Sequence, residues 1–343
     1  MIFRKLKNII GELKYVTSKN GFWSEYIQTL NRNHFLSSEN LTDVEKLSLF
    51  KNSVDLVEIE PHSFCNRICP FCPNYKLDRL KNNHEIDNGI FDKILEDLSL
   101  ISYDNLIRFA LYSEPLSSPN IIHLVRSVRN TLPKCEIDII TNGDYLDEII
   151  LKKLIGAGLN TLWISIYPKK YQWTRSTIIN RINEISIKLN ITPEITFENK
   201  NEISWLFPNN QIKIFATGKN YTNIGFDRGG ALNELTDDKF TRDSPCRMVF
   251  NQFTVYNDGA VVPCCNIRND YSEHKKHIVD VLDGKKSIFD IYCSKFMVSW
   301  RKELTHVGSK KGPCSSCKQH ICDYNISKNI LERKIKNKLF EIH

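Results

Sequence analysis

From residue 54 onward the chain alternates short apolar runs with longer stretches whose apolar residues recur at helical spacing. Val54-Asp55-Leu56-Val57-Glu58-Ile59 reads as a first strand. Ile90, Phe91, Ile94, Leu95, Leu98 and Ile101 then give the stripe of an amphipathic helix. A second strand, Leu106 to Tyr112, precedes a helix through Ile121, Ile122, Leu124, Val125 and Val128. The third strand, Glu136 to Ile140, runs into Thr141-Asn142-Gly143, and a helix from Tyr145 to about Ala157 follows. Thr161 to Ile166 is the fourth strand, ahead of a helix near Ile178 to Leu189. Thr192 to Phe197 and Gln211 to Phe215 are weaker strands. Repeated βα units with apolar strands predict a parallel α/β sheet, either open and doubly wound or closed into a full or partial barrel. In such folds the chemistry sits at the C-terminal ends of the strands.

The pattern differs at both ends. In the first fifty residues Ile9, Leu13, Val16, Phe22, Tyr26, Ile27 and Leu30 recur, which predicts a helical extension over residues 1–50 that packs as a flap. Beyond Gly225, the runs Val255 to Gly259 and Val261 to Cys265 form a strand–Asp-Gly–strand hairpin signal. Ile288 to Tyr292 and Phe296 to Leu304 read as helix, and Ile326 to Phe340 as a Lys-rich amphipathic helix. The expected division is 1–50, 51–225, 226–323 and 324–343.

Composition narrows the class. Of 343 residues, 41% are hydrophobic and 25% charged, as in ordinary globular domains. The net charge of +7 is spread over a Lys-rich chain without an Arg-rich run interleaved with aromatics, so nucleic acid is not an expected partner. No window approaches 18 uninterrupted apolar residues, and the N-terminus lacks the apolar core of a secretory signal, so no membrane span or export is expected. Eleven cysteines in such a chain point to metal ligation in a reducing, cytoplasmic setting.

Cys65, Cys69 and Cys72 fall at C-x3-C-x2-C spacing on the loop after the first strand. Thiolates in this density hold zinc or an iron–sulfur cluster. A structural zinc wants four ligands and would have to borrow His62 or Cys135, whereas a cubane held by three thiolates keeps one iron open. Cys246, Cys264 and the pair Cys314 and Cys317 make a second, four-thiolate set. That spacing fits a zinc site of four cysteines and a [4Fe–4S] cluster equally.

The first spacing, with Phe71 just before the third cysteine, resembles the signature of the radical S-adenosylmethionine (radical SAM) superfamily. The resemblance implies a partial (β/α)6 TIM-like barrel and a SAM-binding [4Fe–4S] cluster on Cys65, Cys69 and Cys72. It also implies cleavage of SAM to a 5′-deoxyadenosyl radical that takes a hydrogen from the substrate. Tyr112-Ser113-Glu114-Pro115 resembles the family's Gly-Gly-Glu-Pro segment with both glycines replaced, which implies Glu114 and Ser113 at the SAM amino group. By the same resemblance Asn142 of Thr141-Asn142-Gly143 shapes the SAM site, Ser165 meets the ribose, Arg175 reaches the carboxylate and the Phe71 backbone meets the adenine. Read without it, these are a loop start, an Asn-Gly turn, a strand-end hydroxyl and a solvated arginine.

The second set, with its hairpin and helix, resembles the SPASM or shorter Twitch extension of that superfamily, a small β-hairpin/helix domain that binds auxiliary clusters. It implies one auxiliary [4Fe–4S] cluster on Cys246, Cys264, Cys314 and Cys317. Cys322 extends a C-x2-C-x4-C run that hints at a second, with Cys265 and Cys293 also left over. The resemblance covers about residues 54–323. It implies oxidation or epimerisation of a sugar or aminocyclitol-like molecule, with the auxiliary cluster accepting an electron and a flavodoxin- or ferredoxin-type reductant. A maturase acting on a precursor peptide is the alternative, although the first fifty residues are short for a leader-binding domain. A non-catalytic cluster-binding or regulatory protein is another. Arg228 is the candidate catalytic residue, orienting a substrate hydroxyl or promoting loss of its proton, against a structural role on loop carbonyls; Asn266 is expected to face the same cavity.

Overall fold

The computed structural model describes residues 37, 40–81, 83–168, 170–225, 227–232, 240–244, 246–305 and 308–318. The predicted helix over most of the first fifty residues, the tail helix and Cys322 lie outside the described residues. What is described of the N-terminal stretch ends in helix α1 (Asp43–Ser53). Its start is fixed by a capping box: the Thr42 hydroxyl accepts from Glu45 N at 3.3 Å, and the Glu45 carboxylate accepts from Thr42 N at 2.8 Å.

The described residues form a ten-stranded sheet. Strands β1 (Leu56–Ile59), β2 (Leu106–Phe109), β3 (Glu136–Thr141) and β4 (Thr161–Ser165) alternate with helices α2 (Asn88–Leu100), α3 (Ile121–Thr131), α4 (Glu148–Ala157) and α5 (Arg175–Leu189). They pair in parallel, as does β7 (Lys213–Lys219) with β4. Helix α4 begins later than its apolar pattern because the Asp147 carboxylate accepts from Ile150 N at 2.7 Å and sets the first turn. Helix α5 begins earlier, at Arg175, because Thr174 caps it.

Two departures from the sequence expectation shape the sheet. After α5 the chain makes an antiparallel hairpin, β5 (Glu194–Asn199) and β6 (Glu202–Phe207), before β7, where the pattern predicted two separate weak strands. Strand β6 alternates buried Ile203, Trp205 and Phe207 with half-buried Glu202, Ser204 and Leu206. Second, β8 (Gln252–Val255), the first strand of the expected C-terminal hairpin, pairs in parallel with β1. Its partner β9 (Ala260–Val262) and the short β10 (Asp280–Val281) continue the sheet outward. The strand order is β10-β9-β8-β1-β2-β3-β4-β7-β6-β5. The sheet therefore crosses the expected division at 225/226.

Alternation along the strands sorts side chains by face. Val57, Ile59, Ile107, Phe109, Ile137, Ile139, Leu162 and Ile164 belong to the main apolar core. The other face carries Glu58, Arg108 and Asp138 abreast on β1, β2 and β3. Arg108 donates to both Asp138 oxygens at 2.8 and 2.7 Å. No helix of the described residues is long and apolar enough to cross a membrane.

Phe50 is fully buried, and its ring lies edge-on to Tyr103, Phe253, Phe289 and Tyr292, joining α1 to β8 and to the C-terminal helix α6 (Ile288–Tyr292). Phe50→Ala is expected to destabilise the protein by about 3–5 kcal/mol. A denaturation midpoint unchanged from the parent would contradict that.

Candidate active site

A cavity of about 580 Å3 opens at the C-terminal ends of the parallel strands. Its wall includes Cys65, Cys69 and Cys72, together with Phe71, Ser113, Glu114, Asn142, Ser165 and Arg228. Burial raises the Cys65 and Cys69 thiols to about 12. Cys65 and Cys69, which share this wall with Cys72, lose their protons readily only where a strongly cationic group stabilises the thiolates, as an iron–sulfur cluster does.

Glu114 is tied to the neighbouring strand ends. Its Oε2 accepts from Asn142 N at 2.7 Å, and its Oε1 accepts from the Thr141 hydroxyl and from Leu116 N. Burial nevertheless lifts its pKa to about 7 against these three bonds. His62 is buried, with one ring nitrogen on Asn83 Oδ1 and the other on Glu114 O, each at 2.8 Å. It steadies the Glu114 loop and is not poised as a metal ligand.

The cysteine loop is held from the far side by Asp144. Arg67 donates to both Asp144 oxygens at 2.7 Å, Asn66 Nδ2 donates to one at 2.8 Å, and Arg181 on α5 adds a further bond. Asn142 closes the circuit by donating to Asn66 Oδ1 at 2.8 Å. Phe71 stacks on Tyr221 with centroids 4.4 Å apart and touches Tyr167 and Tyr171, making an aromatic wall.

Arg228 reaches the cavity from a loop in the left-handed region: φ is +52° at Arg228, +68° at Gly229 and +91° at Gly230. For a non-glycine residue this conformation costs about 1–3 kcal/mol and persists when the surroundings enforce it. They do so here. A Cβ on Gly229 would meet Asn266 O at 2.8 Å, and His274 holds Gly229 O at 2.7 Å. Ser316, inside the C-x2-C pair, donates to the buried Asp227. The Arg228 guanidinium lies among Tyr112, Cys72, Tyr221 and Cys265. Cys264 is surrounded by Cys265, Cys314, Cys246 and Cys317, and burial followed by that crowding of thiols drives its pKa well up. Cys246, Cys314 and Cys317 thus act electrostatically on Cys264, although among the described residues no three or more Cys, His, Asp or Glu side chains are drawn together at metal-holding spacing.

The radical SAM superfamily model matches residues 59–168, and the iron–sulfur cluster-binding SPASM domain model matches residues 246–318. The chain belongs to the radical SAM superfamily. It carries a C-terminal SPASM domain, and these domains bind [4Fe–4S] clusters with SAM. Over 264 residues it is 24% identical to the S-adenosyl-L-methionine-dependent 2-deoxy-scyllo-inosamine dehydrogenase of Niallia circulans, spanning 76% of this chain and 92% of that protein. The crystal structure of BtrN in complex with AdoMet and 2-DOIA shares the fold, with a TM-score of 0.54 and 23% identity over 74% of this chain and 87% of that one. BtrN in an open conformation has a TM-score of 0.51 and 21% identity over 77% and 92%.

Of the residues expected at the radical SAM site, Arg175 is not there. It stands exposed at the start of α5, bound to Glu198 at 2.6 Å, because the edge strand β5 offers a carboxylate beside the helix N-terminus. Arg67, Arg108, Arg228 and Arg247 are the arginines that line the cavity among the described residues. Asn266 also differs from expectation: it is buried with Nδ2 4.0 Å from Cys317 Sγ, while its neighbour Cys265 lines the cavity. Cys135 and Cys293 are buried in the apolar core. The sequence reading missed Asp144, Asn74 and Glu58; alternation along β1, with an acid between Val57 and Ile59, was the signal for Glu58.

Replacing Cys65, Cys69 or Cys72 by Ala is expected to remove about four irons per chain and leave the auxiliary set loaded. Iron and sulfide counts after anaerobic reconstitution read this, and an unchanged count would contradict it. Glu58 and Glu114 each have a pKa raised from 4.5 to about 7, mainly by burial. The folded state therefore holds protons that the unfolded chain releases, so the cluster-free protein is expected to lose stability as pH rises from about 4.5 to about 7. Glu114→Gln flattens that slope in denaturation midpoints followed across pH.

Proposed function

We propose that the chain is a radical SAM dehydrogenase that oxidises a hydroxyl of a small polyhydroxylated ring, a sugar or an aminocyclitol. The observation that carries this reading is that one cavity is walled both by Cys65, Cys69 and Cys72 and by Arg228 with Cys265, the neighbour of Cys264. Similarity to the 2-deoxy-scyllo-inosamine dehydrogenase supports the same reaction class. When bound, the clusters and SAM supply a carbon-centred radical that abstracts hydrogen and an acceptor for the second electron.

The residues of the chain supply position and polarity. Glu114 accepts from the SAM amino group, with Asn142 and Ser165 completing the polar side of the pocket. The Phe71–Tyr221 stack and Tyr167 give the adenine an apolar, water-excluding wall. Arg228 donates to the substrate hydroxyl and stabilises negative charge as that oxygen loses its proton. Removal of the hydrogen atom, the hydroxyl proton and one further electron balances conversion of the alcohol to a ketone. The ten cysteines among the described residues are all free thiols, which suits a reducing cytoplasm and a flavodoxin- or ferredoxin-type reductant.

The decisive experiment incubates the reduced, reconstituted protein anaerobically with SAM and 2-deoxy-scyllo-inosamine. Formation of 5′-deoxyadenosine together with a ketone product is expected, and absence of SAM cleavage would overturn the reading. Arg228→Ala is expected to lower ketone formation by about 100-fold or more, with SAM cleavage less affected. Parental turnover by that variant would remove Arg228 from the mechanism.

A further inference from the structure

The inner face of the sheet carries a patch of hydrogen-bond acceptors where β1 meets β8. Glu58 is 5% exposed and Gln252 7% exposed, and both line the active cavity. Thr254, fully buried, is the register partner of Glu58 across the β1–β8 pair. Glu58 Oε2, Gln252 Oε1 and Thr254 Oγ1 all lack a hydrogen-bond partner among the described residues. Strand alternation puts Gln252 and Thr254 on one face of β8, and Glu58 sits on the matching face of β1.

The adjacent cation does not fill this gap. Arg108, beside Glu58 on β2, commits Nε and Nη2 to Asp138, and Trp163 Nε1 donates to the same carboxylate at 3.2 Å. Burial, aided by the Asp138 and Glu60 carboxylates and opposed by Arg108 and Arg228, holds the Glu58 carboxyl at about 7, well above the ordinary carboxylate range. A buried carboxylate oxygen without a donor is costly, and a ligand that brings donors and positive charge relieves the cost. A hydroxyl brings one hydrogen. A protonated amine brings three, together with the charge that returns Glu58 to its ionised form.

We propose that Glu58, supported by Gln252 and Thr254, is the seat of a protonated amino group on the substrate, so that the enzyme selects an amine-bearing cyclitol or sugar over its neutral polyol counterpart. This rests on the dehydrogenase reading and names the substrate class within it. Arg228, on the same cavity wall, then holds the reacting hydroxyl, and the ammonium anchors the ring from the strand side.

Calorimetric titration of the cluster-loaded protein with SAM present tests this, using 2-deoxy-scyllo-inosamine and neutral scyllo-inositol as probes. The parent is expected to bind the amine at least about tenfold more tightly than the polyol. Glu58→Gln is expected to erase that preference and Glu58→Asp to keep part of it. If Glu58→Gln yields no folded, iron-loaded protein, Gln252→Leu carries the test, with an expected loss of about fivefold in amine affinity and little change for the polyol. Equal binding of the two probes by the parent, binding of neither, or an undiminished preference in the variants overturns the assignment. SAM cleavage by reduced protein without either probe is read in parallel. Cleavage without amine preference defeats the amine seat and leaves the radical reaction standing. A preference lost in Glu58→Gln without any cleavage upholds the seat and defeats the reaction.

Discussion

A chain of buried charges joins the two cysteine sets. Glu60, at the end of β1, accepts from Arg79 at 2.5 Å, and Arg79 reaches Asp270 at 2.8 Å. Arg268 donates to both Asp270 oxygens and to Asn74 Oδ1, just after Cys72. Glu60, Arg79 and Arg268 are all buried. Taking such groups out of water is expensive, and removing Glu60 or Arg79 strands its buried partner, at about 3–5 kcal/mol. The arrangement is all or nothing, so the loop of Cys65, Cys69 and Cys72 keeps its place only when the SPASM domain keeps its own.

The same logic explains the replaced glycines of the Glu-Pro segment. Tyr112 is not a tolerated substitute but a strut. Its ring lies under the Arg268 guanidinium, 4.1 Å from centroid to carbon, and its hydroxyl donates to Cys265 O at 3.1 Å. Its backbone carbonyl accepts from Asn74 at 2.7 Å and its N–H donates to Glu60. A glycine there could make the backbone contacts but not those from the ring. Glu114, next but one along, is thereby kept in register with Thr141 and Asn142.

Much of this was legible in the sequence because it is local. Runs of apolar residues marked β1 to β4, and cysteine spacing marked both thiolate sets, since ligands on one loop must lie within a few residues of each other. What stayed hidden depends on pairing between distant segments. Arg175 was expected at the SAM carboxylate by family resemblance, but Glu198, on a strand paired only along one side among the described residues, captures it. Asp144 looked like the residue after an Asn-Gly turn, and its four donors come from the cysteine loop and α5. Cys265 lines the cavity that Asn266 was expected to face, because Asn266 turns toward Cys317 Sγ. The parallel partnership of β1 with β8 has no signature in either strand alone.

That partnership also has a temporal side. Asp55 N–H donates to Asn251 O and Glu60 N–H to Val255 O, so both ends of β1 are clamped by segments nearly two hundred residues downstream. During synthesis, β1 and the loop after it emerge first but gain their second neighbour only when β8 has left the ribosome, and long-range pairing of this kind is slow. Assembly of the first metal site is therefore a late event in the life of the nascent chain, and a truncation ahead of β8 would leave three thiols on an unclamped strand, open to oxidation.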